Sequence, residues 1–403
     1  MSTGRILILT NRVPYPLKDG GNLAMKAMID GYHANGNQVY LLSMNTSRHP
    51  VDKDVASEVY GHIYAFETVN VNNDIGLFPL LNNLVFSNEP NHVMRFRKPA
   101  FIKKLKEVLA SFKPDIVQVE SVYLSSYLTQ IKFSSTAKTV LRLHNVEYQI
   151  WERLAQQVKN PLKRYYINNL GNRIRKYEQR VWKEYDLLLP ITMDDDKTVR
   201  KSVNGKVRTH VVPYTIDTQQ EPIHHQEKAV GYHIGAMDWL PNEEGINWFI
   251  TDVWNEIRKT SPDFEFYFAG RHMPEYLKNI NENSLHCVGE VDDANAFISD
   301  KKILIVPIRS GGGIRVKVLE AMAQNKVVVS TSIGMQGIEA KDKVHYLQAN
   351  DAQEFAVAIS WVLNNDEKAR TIAENALHLI RTQYSTKPVY QGLQKEIDRI
   401  SAR

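Results

Sequence analysis

The sequence predicts an α/β protein built as two doubly wound units, each a parallel sheet covered by helices. Three observations predict it. Short, almost wholly apolar runs recur along the whole 403-residue chain, stretches of helical spacing separate them, and the series pauses in a polar stretch at Asp217–Lys228 before starting again. Strands that are apolar on both faces belong to parallel sheets shielded on both sides, and their alternation with helices is the pattern of βαβ units.

In the first series the strands are expected at Ile6–Thr10, Gln38–Ser43, Asp115–Val119, Thr139–Leu143, Leu187–Ile191 and His210–Val212. Gly20-Gly21 reads as a break before a helix over Leu23–Ala34, which Gly36 ends. Phe78–Phe101 is poorly periodic and reads as a long loop or a short helical insertion. The second series places strands at Gly231–Ile234, Phe264–Phe268, Leu285–Val288, Ile303–Ile308 and Val327–Ser330. Helices are expected at Asn242–Lys259, Arg315–Gln324 and Ala352–Leu363. The domains are therefore expected at 1–215 and 216–386. A final helix near Pro388–Ile400, within 387–403, is open to packing back on the first domain. Ligands of such sheets bind at the carboxyl ends of the strands.

Composition narrows the class. Hydrophobic residues make up 43% and charged residues 24%, which fits a folded globular chain. The net charge of +5 is too diffuse for a nucleic-acid stripe, so no nucleic-acid partner is expected. The single cysteine, Cys287, excludes an internal disulfide, and no Cys/His spacing suits zinc, so no metal is expected. The apolar run at Arg5–Thr10 is too short for a signal peptide, and no stretch is long enough to span a bilayer. A cytoplasmic location is the expectation.

One segment carries most of the chemistry. Ile303–Ile308 runs into Arg309-Ser310-Gly311-Gly312-Gly313-Ile314-Arg315-Val316-Lys317-Val318-Leu319-Glu320-Ala321-Met322-Ala323. Glycines allow close backbone approach and leave amides unshielded. A helix N-terminus adds unpaired N–H groups and partial positive charge. Arg315 and Lys317, read as cations on the first turn, would add a bidentate fork and a point charge. A diphosphate is the ligand such a site suits. Glu320, a turn later, could accept hydrogen bonds from both hydroxyls of a ribose. The plain alternative is a glycine turn with solvated charges.

This segment resembles the donor-binding motif of retaining glycosyltransferase family 4. That family usually carries two glutamates separated by seven intervening residues, the second inside Leu-Glu-Ala-Met-Ala. Glu320 matches the second, whereas Gly312 stands where the first would be. The chain is similar to a branch with Gly-Gly-x-Arg-x-Lys before Leu-Glu-Ala-Met-Ala. The resemblance extends over nearly the whole chain. It implies the GT-B fold, two Rossmann-like domains facing across a cleft. It also implies transfer of a sugar, with retention of configuration, from a nucleotide-sugar donor to a glycan, a lipid-linked or another acceptor. Cell-surface polysaccharide synthesis is the implied setting. No cofactor is expected beyond the nucleotide sugar as co-substrate. Two alternatives stay open: a nucleotide-sugar epimerase of the same fold and a non-catalytic nucleotide-sugar binder. A nicotinamide dehydrogenase is not expected, because no Gly-x-Gly-x-x-Gly follows the first strand.

The resemblance marks further candidates. Gly20 and Gly21 lie in the loop Asn11–Asn22, which in relatives approaches donor phosphates and acceptor. His144 follows the strand Thr139–Leu143; relatives place a histidine there against the reacting sugar or acceptor, and Asn145 and Glu147 are weaker neighbours. Catalytic roles are thus expected for His144, Arg315 and Lys317. Gly235 and Asp238, in Gly235-Ala236-Met237-Asp238-Trp239-Leu240-Pro241-Asn242, resemble the donor-side loop before a long helix. Asn242 also suits an N-cap. Gly270 ends the next strand, and Cys287–Val291 resembles the segment along the nucleobase. Finally, Lys159–Lys183 interleaves cations with Tyr165, Tyr166, Tyr177 and Trp182. A solvated face with inward aromatics is the favoured reading. Peripheral contact with an anionic membrane, at the inner face of the cytoplasmic membrane, is the alternative.

Overall fold

The structure, a computed structural model, describes residues 4–17, 20–74, 89–218, 228–280, 282 and 284–402. The chain divides into two compact units, Met1–Pro213 with Lys387–Arg403, and Tyr214–Thr386. Most of the polar stretch Asp217–Lys228 and the first part of Phe78–Phe101 lie outside the described residues. The rest of the latter forms a short helix, Asn91–Met94, and the start of the helix Pro99–Phe112.

Among the described residues, the first unit has one parallel sheet of seven strands. They are β1 (Arg5–Thr10), β2 (Gln38–Thr46), β3 (Ala65–Val71), β4 (Ile116–Val119), β5 (Lys138–Leu143), β6 (Leu187–Pro190) and β7 (Arg208–Thr209), in the order β3-β2-β1-β4-β5-β6-β7. The second unit has six: β8 (Lys228–Ile234), β9 (Phe266–Ala269), β10 (Leu285–Gly289), β11 (Lys301–Val306), β12 (Val327–Ser330) and β13 (Leu347–Gln348), in the order β10-β9-β8-β11-β12-β13. Every pair is parallel. In each sheet the strand order reverses between its first and fourth strands, which opens a crevice at their carboxyl ends.

The central strands show why they read as continuous apolar runs. Leu7 and Leu9 enter one core with Val117 and Phe101, while Ile6 and Ile8 enter another with Met28 and Ile29. In the second unit Ile303 and Ile305 face one core and Leu304 and Val306 the other. β3 was not predicted, because its Ala-Phe-Glu-Thr-Val-Asn-Val run sits half-exposed at a sheet edge and lacks the apolar signature. β7 lies just before the predicted His210–Val212, although His210 and Val212 still donate to the Leu188 and Pro190 carbonyls.

Several boundaries differ from expectation. The helix predicted over Leu23–Ala34 starts at Gly20, so Gly20-Gly21 form its first turn rather than a break. The helix predicted over Asn242–Lys259 runs Leu240–Trp248, passes through a π turn at Phe249–Val253 and continues as Trp254–Thr260. The extra residue of the π turn keeps Phe249, Val253 and Trp254 all in the core. The cationic segment forms the helix Pro161–Val181. Its aromatics split: Tyr177 and Trp182 are buried, but Tyr165 and Tyr166 are exposed, which corrects the inward reading.

The last helix, Thr386–Ser401, packs within the first unit. Tyr390, Leu393, Ile397 and Ile400 recur on one face and join the core of Ile6 and Ile8. Asn37 donates to Gln394 Oε1 at 2.8 Å. The Tyr390 ring lies flat over Gly31 of the helix Gly20–Ala34, where an added Cβ would sit 2.3 Å from its Cγ. Gly31→Ala should therefore lower stability by about 1–3 kcal/mol through overpacking, read as a lower midpoint in denaturant. Tyr390→Ala should cost about 3 kcal/mol by opening a cavity. An unchanged midpoint for Gly31→Ala would show that the helix docks elsewhere in solution.

Candidate active site

The second unit gathers its site at the crevice between β8 and β11. β8 ends into Gly235, and β11 runs through Pro307 into the glycine loop. Gly311 and Gly313 take φ of +90° and +86°, the left-handed region open to glycine. A Cβ at Gly311 would press on Pro241 at 3.1 Å, whereas at Gly313 it would meet nothing within 4 Å. The loop thus presents an open backbone on the side of Gly313.

Arg315 is not a cation of the first turn. It is the N-cap of the helix Val316–Ala323, with extended backbone, and is only 4% exposed. Its Nη1 donates to the carbonyls of Gly312, at 2.6 Å, and Gly313, at 2.5 Å. Its guanidinium lies 5.1 Å from the centre of the Trp239 ring. A helix start disfavours a nearby cation. Two carbonyl acceptors and an aromatic face offset that cost. Arg315 clamps the glycine loop.

Lys317, in the first turn, points back beneath Gly235. Its Nζ donates to Asn242 Oδ1 at 2.8 Å and to His233 Nε2 at 3.0 Å. Asn242 Nδ2 donates to the Ala236 carbonyl at 2.8 Å, which fixes which end of the amide faces the lysine. A Cβ at Gly235 would fall 2.7 Å from Lys317 Nζ and 2.6 Å from Asn242 Nδ2, so glycine is required there. Burial pushes the ammonium down to about 7; the Arg315 charge adds to this and Glu320 opposes it. Burial, with the Lys317 charge, also holds His233 well below its ordinary value, so its ring is neutral. Asn242 does not cap its helix, since Trp239 occupies the N-cap. His233 was missed by sequence reasoning; a histidine inside the apolar run Val230–Ile234 was the available signal.

The other donor-side candidates separate. Glu320 is exposed one turn beyond Lys317. Asp238 is exposed, and its Oδ2 lies 3.7 Å from His272 Nε2. At Gly270 a Cβ would come 1.8 Å from the Gly235 carbonyl oxygen, so this glycine lets β9 close against the Gly235 turn. Cys287 is half-buried against the second-unit core, and burial raises its thiol.

In the first unit, Asn22 Nδ2 donates to the Pro16 carbonyl at 2.8 Å and ties the loop after β1 to the helix that begins at Gly20. His144 follows β5, and its Nε2 lies 3.0 Å from Glu120 Oε2 at the end of β4. Glu120 is 1% exposed; Gln118 donates to its other oxygen and Arg142 Nε lies 3.7 Å away. Tyr32 donates in turn to Gln118. A carboxylate accepts, so Glu120 takes the Nε2 hydrogen of His144 and holds the ring with Nδ1 turned away from it. Glu120 and Arg142 were not singled out in the sequence. Glu147 accepts from Tyr123 Oη at 2.7 Å, and burial raises its carboxyl. Glu178, also missed, accepts from the backbone N–H of Glu147 at 3.1 Å and of Tyr148 at 2.9 Å. It thereby holds the start of the helix Glu147–Gln157, just beyond His144.

Burial, reinforced by Glu147, pushes Glu178 up to about 8 against the pull of those two amides. Its unfolded value is about 4.3, so between these values the folded state holds a proton that the unfolded chain lacks. Stability from this group is present at low pH and is lost as pH rises from about 4 to about 8. Glu178→Gln retains an acceptor without the charge, so its unfolding free energy should vary less over pH 5–8.5 than wild type. Parallel pH profiles would show that Glu178 does not titrate there.

Known proteins bear on these features. Residues 228–365 match the family model described as Glycosyl transferases group 1. A Klebsiella pneumoniae protein described as an uncharacterized 44.6 kDa protein in the cps region is 24% identical, covering 97% of this chain and 99% of that protein. Among solved structures, sucrose-phosphate synthase from Thermosynechococcus elongatus aligns with a TM-score of 0.68 at 14% identity, over 99% of each chain. Anabaena HepE in complex with UDP aligns with a TM-score of 0.67 at 14% identity, over 98% of this chain and 100% of that one. The two parallel sheets thus have the GT-B architecture, residues 228–365 of the second unit match the group 1 glycosyl transferase domain, and together these findings mark the chain as a glycosyltransferase.

Proposed function

We propose that the chain transfers a sugar, with retention of configuration, from a nucleoside diphosphate donor to a glycan or lipid-linked acceptor in cell-surface polysaccharide synthesis. The observation that carries the donor half is Lys317, held by His233 and Asn242 beside the open glycine loop and Gly235. HepE supports UDP as the nucleotide to try first, because solved structures of it contain UDP and UDP-glucose. In this reading the Gly311–Gly313 amides and Lys317 bind the diphosphate, with Arg315 holding the loop in shape. Glu320 accepts the ribose hydroxyls, and Gly312 leaves space where the resemblance places a glutamate against the sugar.

The C1–O bond to the diphosphate breaks and the departing oxygen takes the electron pair. Lys317 and the loop amides balance the growing charge, and such electrostatic stabilisation commonly accelerates group transfer more than any other single effect. The acceptor oxygen bonds to C1 on the same face and passes its proton to the departing diphosphate oxygen. No side chain is assigned as a covalent nucleophile, so the carbon passes through an oxocarbenium-like state. When the ring is neutral, Nδ1 of His144 can receive a hydrogen bond from a reacting hydroxyl, and Gly20 and Gly21 allow close approach at their helix start.

The exposed end of the helix Pro161–Val181 supports peripheral binding to an anionic bilayer. Leu162 is 81% and Tyr165 72% exposed, and Tyr166 is also at the surface. From Lys159 to Lys176 there are six cations and no acid. Apolar side chains beside such charge suit an anionic headgroup layer. Among the described residues no helix is long and apolar enough to cross a membrane.

UDP or UDP-sugars should raise the thermal midpoint of the wild type, since ligand bound only to the folded state adds stability. Lys317→Ala should lose that shift and at least about 100-fold in turnover, with a normal midpoint without ligand. A retained UDP shift would remove Lys317 from the donor site. His144→Ala should bind UDP normally yet transfer more slowly, and NMR of the product should give the donor's anomeric configuration. Sugar interconversion without acceptor would instead indicate an epimerase. Vesicles rich in phosphatidylglycerol should sediment the wild type more than Leu162→Ser/Tyr165→Ser, and high salt should weaken both; equal sedimentation would exclude this helix.

A further inference from the structure

His233 has no place in the chemistry assigned so far, yet it is fully enclosed and touches Lys317. Its Nδ1 lies 2.9 Å from the Ile305 carbonyl of β11. A carbonyl can only accept, so Nδ1 carries the hydrogen and Nε2 of the neutral ring offers its lone pair. An ammonium can only donate, so the contact has one polarity: Lys317 gives and His233 receives. Asn242 Oδ1, locked by its own bond to Ala236, receives a second N–H. Two of the three ammonium hydrogens are therefore committed to fixed acceptors, and the third is left for a ligand. The charged groups that bear on Lys317 are Arg315, just before it, and Glu320, one turn on, with neutral His233 beneath it.

Resting on the diphosphate reading of this site, we propose that His233 is a positioning residue: it aims Lys317 and keeps the ammonium, rather than the neutral amine, available to the donor diphosphate. A buried ammonium persists only where lone pairs replace its water, and a hydrogen bond to the charged form favours that form. With burial already bringing Lys317 down to about 7, the site holds both forms near neutral pH. An arriving diphosphate selects the charged form. Where the amine was neutral, it takes one proton from solvent and becomes the ammonium that binds the phosphate oxygens. UDP affinity then falls as pH rises above about 7, with proton uptake on binding.

The test is calorimetric titration of UDP into the full chain between pH 7 and 9, in buffers of different ionisation enthalpy. Wild type should take up protons and bind more weakly as pH rises. His233→Phe keeps the ring volume but removes the acceptor. It should weaken UDP about tenfold at pH 7.5, the loss of one charge-assisted hydrogen bond, and move the decline to lower pH. His233→Gln, which returns an acceptor near the ring Nε2 position, should restore most of the affinity and the profile. Wild-type affinity and profile in His233→Phe would overturn the proposal. So would a Gln variant no better than Phe, with both equally lowered in thermal midpoint, because that marks a merely structural residue. Lys317→Met separates the two levels of inference. If it binds UDP as wild type does, the diphosphate reading itself fails; if it loses UDP while His233→Phe does not, only the role of His233 fails.

Discussion

A primary ammonium enclosed by protein is costly unless lone pairs surround it. At Lys317 that requirement recruits three separate segments: β8 supplies His233, the helix Leu240–Trp248 supplies Asn242, and the helix Val316–Ala323 supplies the lysine. The glycines around it follow from the same demand for space. Gly235 has no side chain because the Lys317 and Asn242 heads occupy its volume, and Gly270 has none because the Gly235 carbonyl does. Arg315 is drawn into the adjoining loop by carbonyls that no helix satisfies. Two cations two residues apart thus have different partners: Lys317 a ring nitrogen and an amide oxygen from other segments, Arg315 two carbonyls of its own loop.

The same strand order serves different chemistry in the two units. In each, the crevice opens where the order reverses, between β1 and β4 or between β8 and β11. The second unit places amides and a lysine there, which suits an anion. The first unit ends β4 in a buried carboxylate, Glu120, set among Gln118, Arg142 and His144. Its charge is used internally, to orient an imidazole. The architecture supplies the location, and the residues at the strand ends supply the chemistry.

Legibility in the sequence followed burial. Central strands such as Ile6–Thr10 and Ile303–Ile308 were readable because burial on both faces demands an unbroken apolar run. β3 was not, because a half-exposed edge strand tolerates Glu67, Thr68 and Asn70. The positions of the glycine loop before its helix and of His144 after its strand were readable as local patterns. Arg315 was misjudged because spacing along the chain does not say whether a guanidinium turns to solvent or back to its own loop. Gly20-Gly21 looked like a break because glycine is a poor helix former, yet it is tolerated in a first turn whose N–H groups lack helical partners.

By itself the sequence determined the two-unit α/β class, the central strands of both sheets and the segment that carries the glycine loop, Lys317 and Glu320. Each of these is written in residues adjacent along the chain, through apolar runs, glycine placement and helical spacing. Only the tertiary structure decided what lies beneath Lys317, what orients His144, and that Tyr390 closes over Gly31. Each of those is a contact between residues far apart in sequence. Whether a polar side chain is a ligand group, a clamp or a support depends on which lone pairs and hydrogens the fold brings within about 3 Å of it, and no local pattern encodes that.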